Sequence, residues 1–166
     1  MKNLYLIGGT MGVGKTTLGQ YMKRELPCAV YLDGDWCWDA DPFVVTEETK
    51  TMVMDNIAHL LNSFLACSEY ENVIFTWVMH EQAIIDDILS RLNAERIKIH
   101  AISLTADKET LTQRLKKDID SQIRKPDIIG RSVQRIGLYE KLNTVKIDTA
   151  GKTTKEMFFE ITKGTV

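Results

Sequence analysis

Short apolar runs alternate along the chain with longer segments whose apolar residues recur every three or four positions. The runs Leu4–Gly8, Ala29–Leu32, Val73–Val78, Ile97–Leu104 and Val145–Ile147 have the length and continuity of strands covered on both faces. The segments between them predict helices. The first starts near Lys15 and ends before Pro27. The second carries Val53, Ile57, Leu60, Leu61, Phe64 and Leu65 as one apolar stripe, with His59 off it. A third runs through Ile84, Ile85, Ile88, Leu89 and Leu92. A fourth begins around Ala106, where Asp107 and Glu109 suit a first turn, and carries Leu111 and Leu115. A fifth spans about Ser132 to Leu142, and a last about Thr154 to Ile161.

Strands alternating with helices predict an open α/β sheet whose parallel strands are joined by right-handed crossovers. No repeat, low-complexity stretch or linker interrupts the pattern, which predicts one domain over residues 1–166. Such sheets bind ligands beyond the carboxyl ends of their strands. The residues just after each strand are therefore where chemistry is to be sought.

After the first strand the chain reads Gly9-Thr10-Met11-Gly12-Val13-Gly14-Lys15-Thr16-Thr17, which fits G-x-x-x-x-G-K-[ST] at every fixed position. Glycines let the backbone curl so that successive N–H groups point inward at phosphate oxygens. The helix that follows adds partial positive charge at its N-terminus. Lys15 can reach terminal phosphates, and Thr16 can ligate Mg²⁺. A strand before and a helix after supply the context that separates a nucleoside triphosphate site, with ATP and Mg²⁺ as its ligands, from an accidental glycine-rich turn.

The second strand ends in Tyr31-Leu32-Asp33-Gly34-Asp35-Trp36, followed by Asp39 and Asp41. Two acids beside a triphosphate site have two natural tasks. One carboxylate can hold the metal, directly or through water, and the other can take a proton from an attacking hydroxyl. The plainer reading is an acidic turn, since Asp-Gly is a common turn pair. Trp36 and Trp38 either wall a substrate pocket or belong to the core.

With these residues in hand, the chain resembles the small P-loop kinases, among them shikimate kinase, gluconate kinase and adenylylsulfate kinase. The resemblance runs from Met1 to about Ile161. It implies a three-layer α/β/α fold with a central five-stranded parallel sheet and a small helical lid. It implies that Asp33 serves the metal together with Thr16, and that Asp35 faces the acceptor. The third strand departs from some relatives. Many P-loop ATPases place an aspartate at its end, whereas Val73-Ile74-Phe75-Thr76-Trp77-Val78-Met79-His80-Glu81 has none. Shikimate kinase has a run of glycines there, which this chain also lacks. Trp77, His80 and Glu81 would face the acceptor pocket, although His80 equally suits a cap on the next helix.

Further along, Leu111-Thr112-Gln113-Arg114 resembles the L-x-x-R of these kinases, in which the arginine lies against adenine. The segment from Asp118 to Gly130, with Arg124 and Lys125 beside a proline and Lys117 just before it, suits a lid that closes charge onto the transferring phosphate. Its plainer reading is a solvated loop. Arg135-Ile136-Gly137-Leu138-Tyr139 resembles the R-x-x-x-Y whose arginine binds an acceptor carboxylate, and Arg131 lies one helical turn earlier. The stretch containing Thr149 and Gly151 resembles the family's loop under adenine.

Composition narrows the partners. The formal net charge is −2, so no overall basic field points to nucleic acid or to an anionic membrane. No apolar stretch reaches the roughly 20 residues of a membrane span. Cys28, Cys37 and Cys67 form neither a C-x-x-C pair nor an even set, which fits a reducing cytoplasm. The expected activity is transfer of the γ-phosphate of ATP to a hydroxyl or phosphate of a small-molecule acceptor. A nucleotide or nucleoside kinase of the same fold and a regulatory ATP-binding module are the alternatives. Arginines in the pocket suggest an anionic acceptor, or else serve the nucleotide's own phosphates. Trp36, Trp38 and Trp77 suggest that the acceptor has a flat or apolar part. Oligomeric state leaves no mark in the sequence.

Overall fold

A computed structural model describes residues 1–93, 96–122 and 125–163. Its elements, in chain order, are β1 (Lys2–Gly9), α1 (Lys15–Glu25), β2 (Ala29–Asp33), a single 3₁₀ turn (Gly34–Cys37), α2 (Glu47–Ala66), β3 (Asn72–Thr76), α3 (Gln82–Ser90), β4 (Ile97–Thr105), α4 (Lys108–Asp120), α5 (Ile128–Gln134), α6 (Ile136–Glu140), β5 (Val145–Asp148) and α7 (Thr154–Lys163). The strands form one all-parallel sheet in the order β2-β3-β1-β4-β5. This is the expected α/β architecture, in which β1 lies at the centre; the chain goes first to the β2 edge, returns through β3 beside β1, and then runs outward through β4 to β5.

Alternation along β1 explains why its sequence is a continuous apolar run. Leu4 and Leu6 pack with Val53, Ile57 and Leu61 of α2 and with Ile85 and Ile88 of α3. Tyr5 and Ile7 join a second group with Leu18 and Met22 of α1, Leu111 and Leu115 of α4, and Met157 and Ile161 of α7. Each fully buried side chain of this kind contributes about 1.5–3 kcal/mol. A typical net hydrogen bond contributes about 0.5–1.5 kcal/mol. The sheet and its two cores therefore hold the fold, and polar residues at the strand ends can be replaced without unfolding it.

Local signals set the element ends. Thr46 and Thr49 close a reciprocal capping box at the start of α2, with Glu47 and Glu48 in its first turn. Asp107 caps α4 by accepting from the amide of Thr110 at 2.8 Å. Two expectations need correction. The third strand stops at Thr76 rather than Val78, because the amide of Met79 turns back to the carbonyl of Trp77 at 3.1 Å. The single helix expected over Ser132–Leu142 begins earlier, at Ile128, and divides at Arg135 into α5 and α6. There the amide of Arg135 bonds Ser132 and that of Leu138 bonds Arg135, both three residues back, so the winding tightens and the axis breaks. Among the described residues, no helix is long and apolar enough to cross a membrane.

Candidate functional site

The carboxyl ends of β1, β2 and β3 converge on the loop between β1 and α1. Gly12 has φ +82°, and a Cβ there would come within 2.6 Å of Leu115 Cδ2. A side chain at this position would strain the backbone and push the loop off α4. Gly14 caps α1 with no side-chain hydrogen bond, so the first amides of the helix keep their own hydrogens for another acceptor. Lys15 Nζ donates to the carbonyls of Gly9 at 2.8 Å and Thr10 at 3.0 Å, folding its ammonium over the loop.

Thr10 and Met11 are held from the other side. The Ser132 hydroxyl donates to the Met11 carbonyl at 2.6 Å and lies 2.8 Å from Thr10 Oγ1. Ser132 has one hydrogen, so the Thr10 hydroxyl supplies its own to Ser132 Oγ or to the Ser132 carbonyl, 3.0 Å away. Both side chains are buried. The side chain of Thr10 thus secures α5 to the loop, and what it leaves for a phosphate is its backbone.

Thr16 Oγ1 donates to Asp33 Oδ2 at 3.0 Å. The Tyr31 hydroxyl donates to the same oxygen at 2.9 Å and accepts from Thr76 Oγ1 at 2.8 Å. Burial pushes the Tyr31 hydroxyl well above its ordinary pKa; the Asp33 charge adds to the rise and the Thr76 hydrogen bond opposes it. Tyr31 therefore keeps its proton and must donate to Asp33. The other carboxylate oxygen of Asp33 accepts the amide of Asp35 at 3.2 Å, which forms the start of the 3₁₀ turn. Period-two alternation places Tyr31 and Asp33 on one face of β2, a signal that was available in the sequence. Thr76 occupies the end of the third strand, where an aspartate was sought and not found.

Asp35 and Trp36 are exposed on that turn, Trp36 at 58%. Cys37 is buried beneath them, and burial together with the Asp33 and Asp35 charges pushes its thiol up to about 11. It stays a neutral thiol at physiological pH and offers no nucleophile. Gly34 makes room for an indole: a Cβ there would lie 2.5 Å from Trp77 Cγ. The ring of Trp77 stands edge-on to Trp38, 6.5 Å between centroids. His80 Nε2 lies 3.4 Å from Glu81 Oε1, and its Nδ1 is buried without a hydrogen-bond partner.

On the far side of the loop, Arg114 donates to the Val13 carbonyl at 3.3 Å, to Thr149 Oγ1 at 2.8 Å and to the Thr149 carbonyl at 2.9 Å. One guanidinium thus links the phosphate loop to the loop after β5. A cleft of about 360 Å³ opens there, lined by Gly12 to Thr17, Arg114, Lys117, Asp118, Lys152, Thr154 and Met157. Lys152 and Thr154 belong to the stretch that resembles the family's loop under adenine, whereas Met157, on the first turns of α7, was not singled out in the sequence. Gly151 turns that loop. Arg131 is exposed and pairs with Asp127 at 2.8 Å. Arg135 is half-buried, and its charge acts on the buried hydroxyl of Tyr139. Arg124 lies outside the described residues.

A family model described as an AAA domain matches residues 6–136. The chain belongs to this AAA domain family. No curated protein matches it. Among solved structures, this AAA domain is similar to the Deinococcus radiodurans tunicamycin resistance protein, with a TM-score of 0.75 at 18% identity over 99% of this chain and 96% of that one. It is also similar to a gluconokinase from Sinorhizobium meliloti 1021, with a TM-score of 0.69 at 15% identity over 98% and 90% of the two chains. A shikimate kinase from Acinetobacter baumannii in complex with shikimate gives a TM-score of 0.61 at 19% identity over 99% and 93%. At these identities the likeness is one of fold. That fold is the one shared by the P-loop kinases, as the phosphate loop and the D-G-D had implied.

Proposed function

We propose that this protein transfers the γ-phosphate of ATP, with Mg²⁺, to a hydroxyl of a small-molecule acceptor. The observation that carries this reading is the contact between Thr16 and Asp33 at the foot of the phosphate loop, with Asp35 exposed two residues beyond. Many P-loop ATPases carry an aspartate at the end of the third strand, where this chain has Thr76, whereas a kinase needs a carboxylate on the acceptor side, the place of Asp35 in this reading.

Mg²⁺ takes oxygen ligands and keeps several waters, and the Thr16 hydroxyl beside the Asp33 carboxylate is a donor set of that kind. When bound, the ion supplies positive charge to the phosphate oxygens. The remaining work belongs to the chain. The amides of residues 12–16 and the Lys15 ammonium hold the phosphates. Arg114 and the Thr149 loop border the end of the cleft suited to the base. Asp35 accepts the proton of the acceptor hydroxyl as the new O–P bond forms and the bond from the γ-phosphorus to the leaving ADP breaks. Tyr31 and Thr76 keep Asp33 oriented.

The test is ADP release from ATP and Mg²⁺ across sugars, hydroxy acids, nucleosides and nucleotides. Release stimulated by one acceptor class, with the phosphorylated product recovered, supports the reading. ATP turnover that no acceptor stimulates would favour a regulatory module.

Residues 118–130 form the lid of the proposed kinase. In the structure, 118–120 complete α4 and 128–130 begin α5. The sequence between them, Ser121 to Asp127, is mostly polar, so ligand contacts should decide its stability. Hydrogen exchange across residues 118–122 and 125–130 is expected to slow when a non-hydrolysable ATP analogue and Mg²⁺ are added. Equal exchange with and without the analogue would remove the lid from the mechanism.

A further inference from the structure

Successive carbonyls of the phosphate loop are held by two different kinds of donor. Those of Gly9 and Thr10 accept from the Lys15 ammonium at 2.8 Å and 3.0 Å. In the proposed reaction that ammonium leaves for the phosphates, so these two bonds are given up as the site fills. The Met11 carbonyl is held otherwise. Its donor is the Ser132 hydroxyl of α5 at 2.6 Å. Ser132 is fully buried and carries no charge that a phosphate could draw away. This bond therefore does not compete with the ligand.

Ser132 is itself braced. Its carbonyl accepts the amide of Arg135 at 3.2 Å and lies 3.0 Å from Thr10 Oγ1. Ile128 and Val133, also on α5, pack in one apolar group with Leu111 and Leu115 of α4. Gly12 is pressed against the same Leu115, where a Cβ would come within 2.6 Å of its side chain. The Met11–Gly12 peptide thus lies between two fixed points, Ser132 at its carbonyl and Leu115 beside the Gly12 Cα.

That peptide is trans, since among the described residues only Asp41–Pro42 is cis. In a trans peptide the carbonyl and the N–H point in opposite directions. Tying the Met11 carbonyl to α5 turns the Gly12 amide away from α5, and Gly12 to Thr17 line the cleft. Gly12 has φ +82°. A glycine lets its flanking peptide rotate at little steric cost. A rotated peptide would present a carbonyl oxygen, with its partial negative charge, where the phosphates need a donor. The Ser132 hydroxyl, bonded to that carbonyl, selects between the two orientations.

We infer that Ser132 is a positioning residue of the nucleotide site, whose hydroxyl holds the Met11–Gly12 peptide with its N–H available to phosphate before any ligand arrives. This rests on the reading of the loop as an ATP site and adds to it a residue that no phosphate-binding motif contains. Donors fixed in advance need no reorganisation when the charge arrives. The effect of Ser132 accordingly belongs to the phosphate end of the nucleotide and not to the acceptor.

Binding of ADP and of pyrophosphate, each with Mg²⁺, is measured by calorimetry on the full chain, and thermal unfolding is followed on the same samples. Ser132→Ala removes the donor and is expected to weaken both ligands about tenfold, the scale of one lost hydrogen bond. Ser132→Cys keeps the shape with a weaker donor and should fall between alanine and wild type. Val133→Ala takes methyl groups from the same helix. It should lower the Tm and bind both ligands as the wild type does. In the transfer assay Ser132→Ala should raise the KM for ATP and leave that of the acceptor unchanged. Equal affinity of Ser132→Ala and wild type overturns the inference. It is also overturned if Val133→Ala weakens binding as much, because packing of α5 rather than the hydroxyl would then position the loop. If Ser132→Ala does not fold, Ser132→Cys against Val133→Ala decides by the same criteria. A wild type that binds neither ligand removes the nucleotide site and the inference together. Binding with the expected order of variants, but without transfer to any acceptor, leaves the inference standing and removes the kinase reading.

Discussion

Lys15→Ala is expected to abolish ATP-dependent turnover while the protein stays folded. The ammonium is held by two carbonyls of its own loop, Gly9 and Thr10, at 2.8 Å and 3.0 Å. It therefore sits where it can move to an incoming phosphate over a short distance. A charged hydrogen bond of this kind contributes about 1.5–3 kcal/mol. Losing it should lower thermal stability modestly, because Leu18, Met22 and the rest of α1's buried face are untouched. Phosphoryl transfer lacks other covalent help from the protein, so removal of a cation at the phosphates acts on the rate directly. Circular dichroism and turnover together check this. A native spectrum with near-normal turnover would defeat the assignment of the loop. Lys15→Arg is the companion measurement. It keeps the charge but cannot reproduce the compact geometry of an ammonium, and it should recover ATP binding better than turnover.

The sheet was legible because both faces of its strands are buried. Leu4 to Ile7 all point into apolar groups, and such strands read as continuous runs whose limits are easy to see. Helices with a full apolar stripe, α2 above all, were legible for the same reason. The division of the last predicted long helix at Arg135 was not. It depends on two three-residue hydrogen bonds and on the anchoring of Ser132 under the phosphate loop. Nothing in the local sequence announces a partner that lies 121 residues away.

The candidate site divides in the same manner. The loop and the D-G-D were legible because their chemistry is local: amides, a lysine and carboxylates at fixed spacing. Tyr31, Thr76 and Ser132 were not read as part of the site, since each supports it through a contact with another strand or loop. Arg114 illustrates a third case. Its position was read from resemblance, while its bonds to Thr149 and Val13 give the physical reason for an arginine there. Gly34 belongs here too. In the sequence it is half of a turn pair; in the fold it is the only residue small enough to let the Trp77 ring approach.

The two acids of the D-G-D should separate when each is replaced by asparagine. Asp33 is 7% exposed and accepts from Thr16, Tyr31 and the amide of Asp35. Asparagine keeps one oxygen but brings an NH₂ that cannot accept, so either the two hydroxyls or the Asp35 amide lose their acceptor. The expected result for Asp33→Asn is a higher Mg²⁺ concentration at half-maximal rate, with some loss of stability from the mispaired donors. Asp35 is exposed on the 3₁₀ turn and is not part of either apolar core. Asp35→Asn should leave ATP affinity nearly unchanged, because Thr16 and the loop are intact. Transfer to the acceptor should fall about 100-fold or more, the usual scale for losing a general base. Because loose phosphoryl transfer depends chiefly on positioning and charge, the loss should appear in kcat more than in the acceptor's KM. The deciding comparison is the Mg²⁺ dependence of both variants. If Asp35→Asn shifts it and Asp33→Asn does not, the proposed roles are reversed. If neither variant changes transfer to any acceptor, the D-G-D serves only to turn the chain, and the case for a kinase is left resting on the phosphate loop.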